Sequence, residues 1–452
     1  MNMEKKLIIS VAGIRGIYPL PLSPETVYKF GFAFGVYSSG KDVFVAQDTR
    51  ISGSTLKYAL LSGLLSAGIN VIDLNVGSTP LLTYIIEKNP NVCGVMISAS
   101  HNPKEYNGLK FVSSKGTFLN EKEGAEFLSI YKNIDSYQIP SQPGKIISSQ
   151  NETYRESFFN DIYNKVNLAK IRERKFKVVV DVCQGVGAFE TRLFLEGLGC
   201  KTVVINAEPP GVFSHNPEPL PENLKELSKK VVEEKADIGF AQDPDCDRLA
   251  FVCEDGVIPG EELTLALSVL NILEKERGSV AVNLSTSSII EYVSNMFDVN
   301  VYRSKIGEVN VVEKMKEKNA IIGGEGNGGV ILPSIHYGRD SYVAMALILE
   351  LMAVKDKKVS EILSVLPRYI MIKEKLVLEE VKKTSILQAI RDKYSKNEEV
   401  NLDDGIKIIR KDGWIHIRPS GTEPILRVYV EGENQSIAKA YLSEIYQFVN
   451  SQ

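Results

Sequence analysis

Apolar positions along the chain fall into a unit that recurs. Residues 42–53, DVFVAQDTRISG, run from an apolar strand pattern into a polar, Gly-bearing turn. TLKYALLSGLLSAG (55–68) then has helical spacing, and INVIDLNV (69–76) is a second strand pattern. FKVVVDVCQGVG, AFETRLFLEGLG and CKTVVINA repeat the order from residue 176, and GSVAVNLSTSS, IIEYVSNMF and VNVYRS repeat it from residue 278. Each is a strand–helix–strand unit. Continuous Val/Ile runs alternating with helices predict mixed, mainly parallel sheets covered on both faces.

The pattern changes near residue 368. YIMIKEKLVL reads as a strand and VKKTSILQAIRDKY as a helix. GIKIIRKDGWIHIRP reads as a hairpin turning at Lys411-Asp412-Gly413, followed by the strand ILRVYVEG and the helix SIAKAYLSEIYQFV. The predicted class is α/β: three related α/β domains over 1–150, 151–254 and 255–367, then a smaller α+β domain over 368–452.

Composition changes this picture little. A chain of 452 residues with 44% hydrophobic and 24% charged residues is ordinary for several globular domains. A net charge of -4, with both signs interspersed, argues against a nucleic-acid partner. Five dispersed cysteines with no CxxC pair predict reduced thiols. The apolar run near the N-terminus is too short for a signal segment, and no 18-residue apolar stretch occurs, so a soluble cytoplasmic protein is expected.

Chemistry concentrates where strands end. VMISASHNPKEYNGLKF (95–111) stops an apolar run at Ser98, Ser100, His101, Asn102 and Pro103, with Lys110 following. Loops at the C-terminal ends of parallel strands hold ligands in α/β sheets, and a hydroxyl beside His and Lys suits covalent catalysis. Helix capping, with Asn102 at N-cap and Pro103 at N1, is the alternative reading of the same letters. No GxSxG elbow is present, which disfavours a serine hydrolase.

DPDCDR places Asp243, Asp245 and Asp247 at alternate positions after the strand IGFA, with Arg248 next. Carboxylates so clustered repel unless a cation joins them, and an all-oxygen set suits Mg²⁺ or Ca²⁺. Glu254 stands twelfth from Asp243, but Arg248 occupies the glycine position of an EF-hand and the flanks read as strands. Mg²⁺ fits better. GGEGNGG (323–329) offers Glu325 and Asn327 between glycines, either as a hydroxyl-binding turn or as a mobile loop. RPSGTEP (418–424) presents Arg418, Ser420, Gly421 and Thr422 between two strands, with Arg427 on the second: a phosphate cradle or a polar hairpin loop. Arg15 in GIRG and Arg50 in QDTRISG are cations in Gly-bearing turns; Arg50 leans to a structural pairing with Asp48. The segment from Gly35 to Lys41 nearly spells a Walker A loop, but it runs from helix to strand and has Asp42 in place of Ser/Thr. Phosphoryl transfer without a nucleotide is the chemistry these parts share.

The order IRG, SASHNP, DPDCDR, GEGNGG, RPSGTEP resembles the α-D-phosphohexomutase superfamily over essentially the whole chain. The resemblance implies a TATA-binding-protein-like fourth domain and a central cleft. It implies a phosphoserine at Ser100, with Asp243, Asp245 and Asp247 holding one Mg²⁺ that the serine phosphate completes. Arg15, His101, Lys110 and Arg248 match catalytic positions. Glu325 and Asn327 match sugar contacts, and Lys305-Ile306-Gly307-Glu308 matches a loop that sets specificity. Arg418, Ser420, Gly421, Thr422 and Arg427 match a distal phosphate clamp. The implied activity interconverts hexose 1- and 6-phosphates, of glucose or mannose, through a 1,6-bisphosphate that also serves as activator. Phosphoglucosamine mutase is the near alternative, and a Mg²⁺-dependent phosphoserine-type sugar phosphatase the alternative of another class. Partners are hexose phosphates, with neither nucleic acid nor membrane, in a monomer or a homo-oligomer. Lys110 acts as base only if burial and the cations Arg15 and Arg248 depress its pKa; His101 titrates closer to neutrality.

Overall fold

The computed structural model describes residues 6–10, 13–149, 151–208, 210–377, 380–419 and 425–451. Its strands gather into four sheets. The first contains β1 (Ile8–Ser10), β2 (Gly13–Ile17), β3 (Asp42–Gln47), β4 (Val71–Val76), β5 (Val92–Ile97), β6 (Tyr106–Val112) and β7 (Ile146–Ile147), in the order β1-β2-β6-β5-β3-β4-β7. The strands β5, β3, β4 and β7 run parallel, while β1, β2 and β6 pair antiparallel. Helices Pro24–Ser38 and Gly53–Ser66 lie against each other at close range. A Cβ on Gly63 would stand 2.2 Å from the carbonyl oxygen of Tyr28, so only glycine permits this approach.

The second sheet, β11-β10-β8-β9, is built from β8 (Lys177–Asp181), β9 (Lys201–Ile205), β10 (Ile238–Gln242) and β11 (Leu249–Cys253). The third, β13-β12-β14-β15, is built from β12 (Val280–Asn283), β13 (Val301–Ser304), β14 (Ile322–Glu325) and β15 (Gly329–Ile331). Each has three parallel strands and one antiparallel edge, β11 or β15. The predicted strand–helix–strand units are the parallel parts of these sheets.

One element explains why the first three sheets form one body. Helix Ser341–Lys355 is apolar on every side, and every residue from Ser341 to Ala353 is buried. A continuous core runs from Leu82 through Phe158 and Val180 to Leu347. The fourth sheet, β16-β20-β19-β18-β17, is antiparallel throughout and joins β16 (Ile370–Val377), β17 (Glu399–Asn401), β18 (Ile406–Arg410), β19 (Gly413–Pro419) and β20 (Ile425–Gly432). It has its own core of Ile386, Ile390, Ile415, Val428 and Ile445 beneath helices Glu380–Tyr394 and Gln435–Asn450. Its seam with the third domain is polar: Lys407 Nζ donates to the carbonyl of Leu284 at 2.6 Å, and the amide of Ser288 donates to Glu431 at 2.9 Å. All five cysteines are buried and free, and among the described residues no helix is long and apolar enough to cross a membrane.

Candidate active site

The C-terminal ends of β5, β10 and β14 open toward one cleft of about 750 Å³, lined by residues from all four domains. At the end of β5 the chain does not enter a helix. It turns through Ser100–Glu105 and returns antiparallel as β6, so Asn102 and Pro103 cap nothing. The turn is held from within by Arg50, which is buried. Its guanidinium donates to the carbonyls of Ser100 and Asn102 at 2.6 Å each, of Pro103 at 2.6 Å and of Tyr106 at 2.8 Å. Its Nε donates to Asp48 at 3.0 Å. Arg50 therefore shapes the loop, as its pairing with Asp48 suggested. Ser100 has φ 50°, in the left-handed region that costs a non-glycine residue energy, and its amide donates to Ser98 Oγ at 2.8 Å.

Under this turn lie the three aspartates. Ser100 Oγ donates to Asp243 Oδ2 at 2.7 Å. Asp243, Asp245 and Asp247 are fully buried, with ligand oxygens all within 4.8 Å of one another. Burial first, then Asp247 and Asp245, push the Asp243 carboxyl well above the usual range. Asp245 Oδ1 and Asp247 Oδ1 are buried without a hydrogen-bond partner. A buried all-oxygen set with two orphan acceptors fits a hard divalent cation.

Cations surround the same carboxylates. Lys110 Nζ, on β6, donates to Asp245 at 2.6 Å and Asp247 at 3.2 Å. Burial alone would depress Lys110, but Asp245 and Asp247 outweigh it and raise its pKa. This reverses the expectation that Arg15 and Arg248 would pull it down. His101 goes the other way: burial, then Arg248 and Arg15, lower it well below its ordinary value, so the imidazole is neutral. Arg15 Nη1 donates to Asn102 Oδ1 at 2.7 Å, and burial with the neighbouring Arg248 brings its pKa down to about 10. Crowded cations beside an alcohol are the setting for an anion.

Also lining the cleft, GGEGNGG is no mobile loop but the β14–β15 hairpin. Glu325 Oε1 accepts from Asn283 Nδ2 at 2.8 Å and from the amide of Gly307 at 3.1 Å, which ties the β14–β15 turn to the loop 305–308. Gly307 has φ 114°, which a side chain rarely adopts. Asn327 Nδ2 lies 3.4 Å from Glu325 Oε2. From the fourth domain, Arg418 and Arg427 are cross-strand neighbours that line the same cleft. Arg418 stands 3.6 Å from Asp404. Ser420, Gly421 and Thr422 lie outside the described residues.

All four domains match models of one family. "Phosphoglucomutase/phosphomannomutase, alpha/beta/alpha" domains I, II and III match residues 6–138, 156–256 and 260–369, and the C-terminal domain matches residues 374–448. The chain belongs to the phosphoglucomutase/phosphomannomutase family. A phosphoglucomutase/phosphomannomutase of Thermococcus kodakarensis is 36% identical over 437 residues, covering 95% of each chain. A probable phosphoglucosamine mutase of Methanopyrus kandleri is 34% identical, covering 97% of this chain and 96% of that one. A crystal structure of a phosphoglucomutase/phosphomannomutase family protein from Burkholderia thailandensis superposes with TM-score 0.84 at 26% identity, covering 98% of each chain.

Arg339 and Glu218 are among the residues of this mutase-family cleft that no sequence motif marks. Arg339 donates to Asp247 at 2.6 Å, and to Glu308 and Glu325 at 2.9 Å each. It keeps Glu325 ionised against burial, whereas burial prevails at Glu308 and raises it. Only its place before Asp340, the N-cap of the apolar helix, marks it in sequence. Glu218 sits 3.4 Å from Arg248 and 3.8 Å from His101, carried there by a Pro-rich loop of the second domain with no motif of its own.

Proposed function

We propose that the chain is a phosphohexomutase that interconverts hexose 1-phosphates and hexose 6-phosphates of glucose and mannose, with Ser100 carrying the phosphoryl group. The observation that carries this reading is the 2.7 Å contact of Ser100 Oγ with a buried aspartate triad, in a cleft that Arg418 and Arg427 of the fourth domain also line. A sugar with two phosphates spans such a site. Asp243, Asp245 and Asp247, with an oxygen of phosphorylated Ser100, would hold one Mg²⁺. When bound, that ion neutralises charge on the phosphoryl group and on the departing serine oxygen.

In the first half-reaction the bond from phosphorus to Ser100 Oγ breaks, and a bond to the sugar hydroxyl oxygen forms. Arg15, Arg248 and Lys110 surround the transferred group with positive charge. The hydroxyl proton passes to His101, which is neutral, while Lys110 stays a cation on Asp245 and Asp247. A weak base suffices, because phosphoryl transfer proceeds through a loose transition state that asks more of charge stabilisation than of proton abstraction. Arg418 and Arg427 grip the far phosphate, and Glu325, Asn327, Gly307 and Glu308 hold the ring. The bisphosphate turns round within the cleft and returns its other phosphoryl group to Ser100.

Phosphoglucosamine mutase is the second reading, supported by the name of the Methanopyrus kandleri relative. This proposal also carries a cytoplasmic location. Rates with glucose, mannose and glucosamine phosphates, with and without glucose 1,6-bisphosphate, test it. A mutase interconverts the isomers and is stimulated by the bisphosphate, whereas steady release of inorganic phosphate would make the chain a phosphatase. Ser100→Ala should lower turnover on the order of a thousandfold or more; full activity would overturn the covalent route.

A further inference from the structure

We propose that Lys375 is a third cation of the distal phosphate clamp, so that one rung of the fourth sheet, Lys375–Arg427–Arg418, forms the anion-binding surface. The site follows from strand register; the identity of its ligand rests on the mutase reading. Strand β20 lies between β16 and β19. Lys375 stands directly opposite Arg427 on one side, and Arg418 stands directly opposite Arg427 on the other. Directly opposed residues project from the same face of a sheet. That face is the cleft face, since all three residues line the cavity. The rung two residues away agrees: Lys373 and Tyr429 also line it. The intervening rung places Val428 and Ile417 in the domain core on the other face, while Glu374, its member on the edge strand β16, also lines the cavity.

Like charges directly opposite one another destabilise a sheet. Here three stand in a row, and Asp404, at 3.6 Å from Arg418, also accepts from the amide of Ile306. All three cations nonetheless line one open cleft together. A phosphate monoester at neutral pH carries close to two negative charges, and a lysine beside two arginines adds donors and attraction for its oxygens. Lys375 sits in YIMIKEKLVL, where spacing shows only a strand, and pairing alone brings it to the clamp.

Because the distal clamp holds whichever phosphate is not at Ser100, Lys375 must serve both substrates alike. The test compares Lys375→Gln and Lys375→Arg in the full chain, with glucose 1-phosphate and glucose 6-phosphate as substrates. Lys375→Gln should raise both KM values about tenfold, the effect of one charge-assisted contact, with kcat within about twofold. Lys375→Arg should restore KM to within about threefold of the parent, since the charge is kept. Glucose 1,6-bisphosphate should bind Ser100→Ala about ten times more tightly than the double variant with Lys375→Gln. The melting temperature of ligand-free Lys375→Gln should not fall, because a repulsive neighbour has been removed. Unchanged bisphosphate affinity, or a KM shift for one substrate alone, overturns the proposal. A lowered melting point with unaltered KM overturns it too. A chain that turns over neither sugar phosphate, yet loses bisphosphate affinity on Lys375→Gln, sinks the mutase reading and supports the clamp.

Discussion

His416 Nδ1 lies 2.8 Å from the hydroxyl of Ser285, across the seam between the fourth domain and the third. Its Nε2 meets the backbone carbonyl of Asp404 at 2.7 Å, which requires an N–H there and leaves Nδ1 to accept from Ser285. The ring is 1% exposed, and burial above all holds its pKa down to about 4. The unfolded chain protonates the same imidazole below about pH 6.5. Between these values the unfolded state binds more protons, so stability falls as pH drops, by about 3 kcal/mol at pH 4 from this group alone. His416→Gln keeps a donor and an acceptor but cannot titrate. Denaturant melts from pH 7 to pH 4 should show the parent losing that much more stability than the variant; parallel curves would show that this seam carries no such penalty.

The aspartate triad sets a second expectation. Fully buried carboxylates that repel one another lower the stability of the ion-free protein, and a divalent cation relieves this. At a concentration a hundred times its dissociation constant, bound Mg²⁺ should add about 2.7 kcal/mol of stability. Thermal melts with Mg²⁺ against a chelator should show that rise in the parent. Asp243→Asn, which removes the carboxylate that bonds Ser100 and backbone amides but no lysine or arginine side chain, should melt no lower than the parent in chelator and gain little from Mg²⁺. An equal Mg²⁺ effect in both would place the ion elsewhere.

Much of this was legible in the chain because strand ends and chemistry coincide. Val/Ile runs marked β3, β8 and β12, and the polar stops after β5, β10 and β14 are where the cleft residues sit. Local signals misled where a distant partner decided. Asn102-Pro103 has the letters of a helix start, yet β6 pairs with both β5 and β2, and the ladder prevails. Lys110 was weighed against Arg15 and Arg248, but its nearest charges are Asp245 and Asp247, brought in from another domain. Arg339 and Glu218 are single charged residues in ordinary surroundings, and only packing gives them partners.

Arg50 supplies a third expectation, since one guanidinium organises the whole turn that carries Ser100. Lysine keeps the charge but has fewer donors and no planar fork. Arg50→Lys brings three donors to the four carbonyls and the Asp48 carboxylate that the guanidinium bonds, so at least two of those contacts should be lost. Each buried unsatisfied group costs about 1–3 kcal/mol, so a loss of roughly 3 kcal/mol is expected in denaturant melts. Turnover should fall more steeply than stability at the assay temperature explains, because Ser100 loses its left-handed pose. A variant with parent-like melting and turnover would mean the turn holds itself.

Arg339 joins three acids that belong to different parts of the cleft: Asp247 of the aspartate loop, Glu308 of the loop 305–308 and Glu325 of the β14–β15 turn. Removing the cation leaves buried carboxylates facing one another, and breaking a buried pair in this way costs about 3–5 kcal/mol. Arg339→Met should therefore melt lower, and the loss should shrink as the acids protonate on going from pH 8 to pH 5, since neutral carboxyls no longer repel. Arg339→Lys keeps the charge but cannot bond three carboxylates in one plane, so it should recover part of the stability and little of the sugar affinity. Affinity for hexose phosphate measured in Arg339→Lys separates the two roles. If it equals the parent while stability is partly lost, Arg339 is only an electrostatic rivet; if it falls about tenfold or more, the arginine holds Glu308 and Glu325 in the pose that reads the sugar.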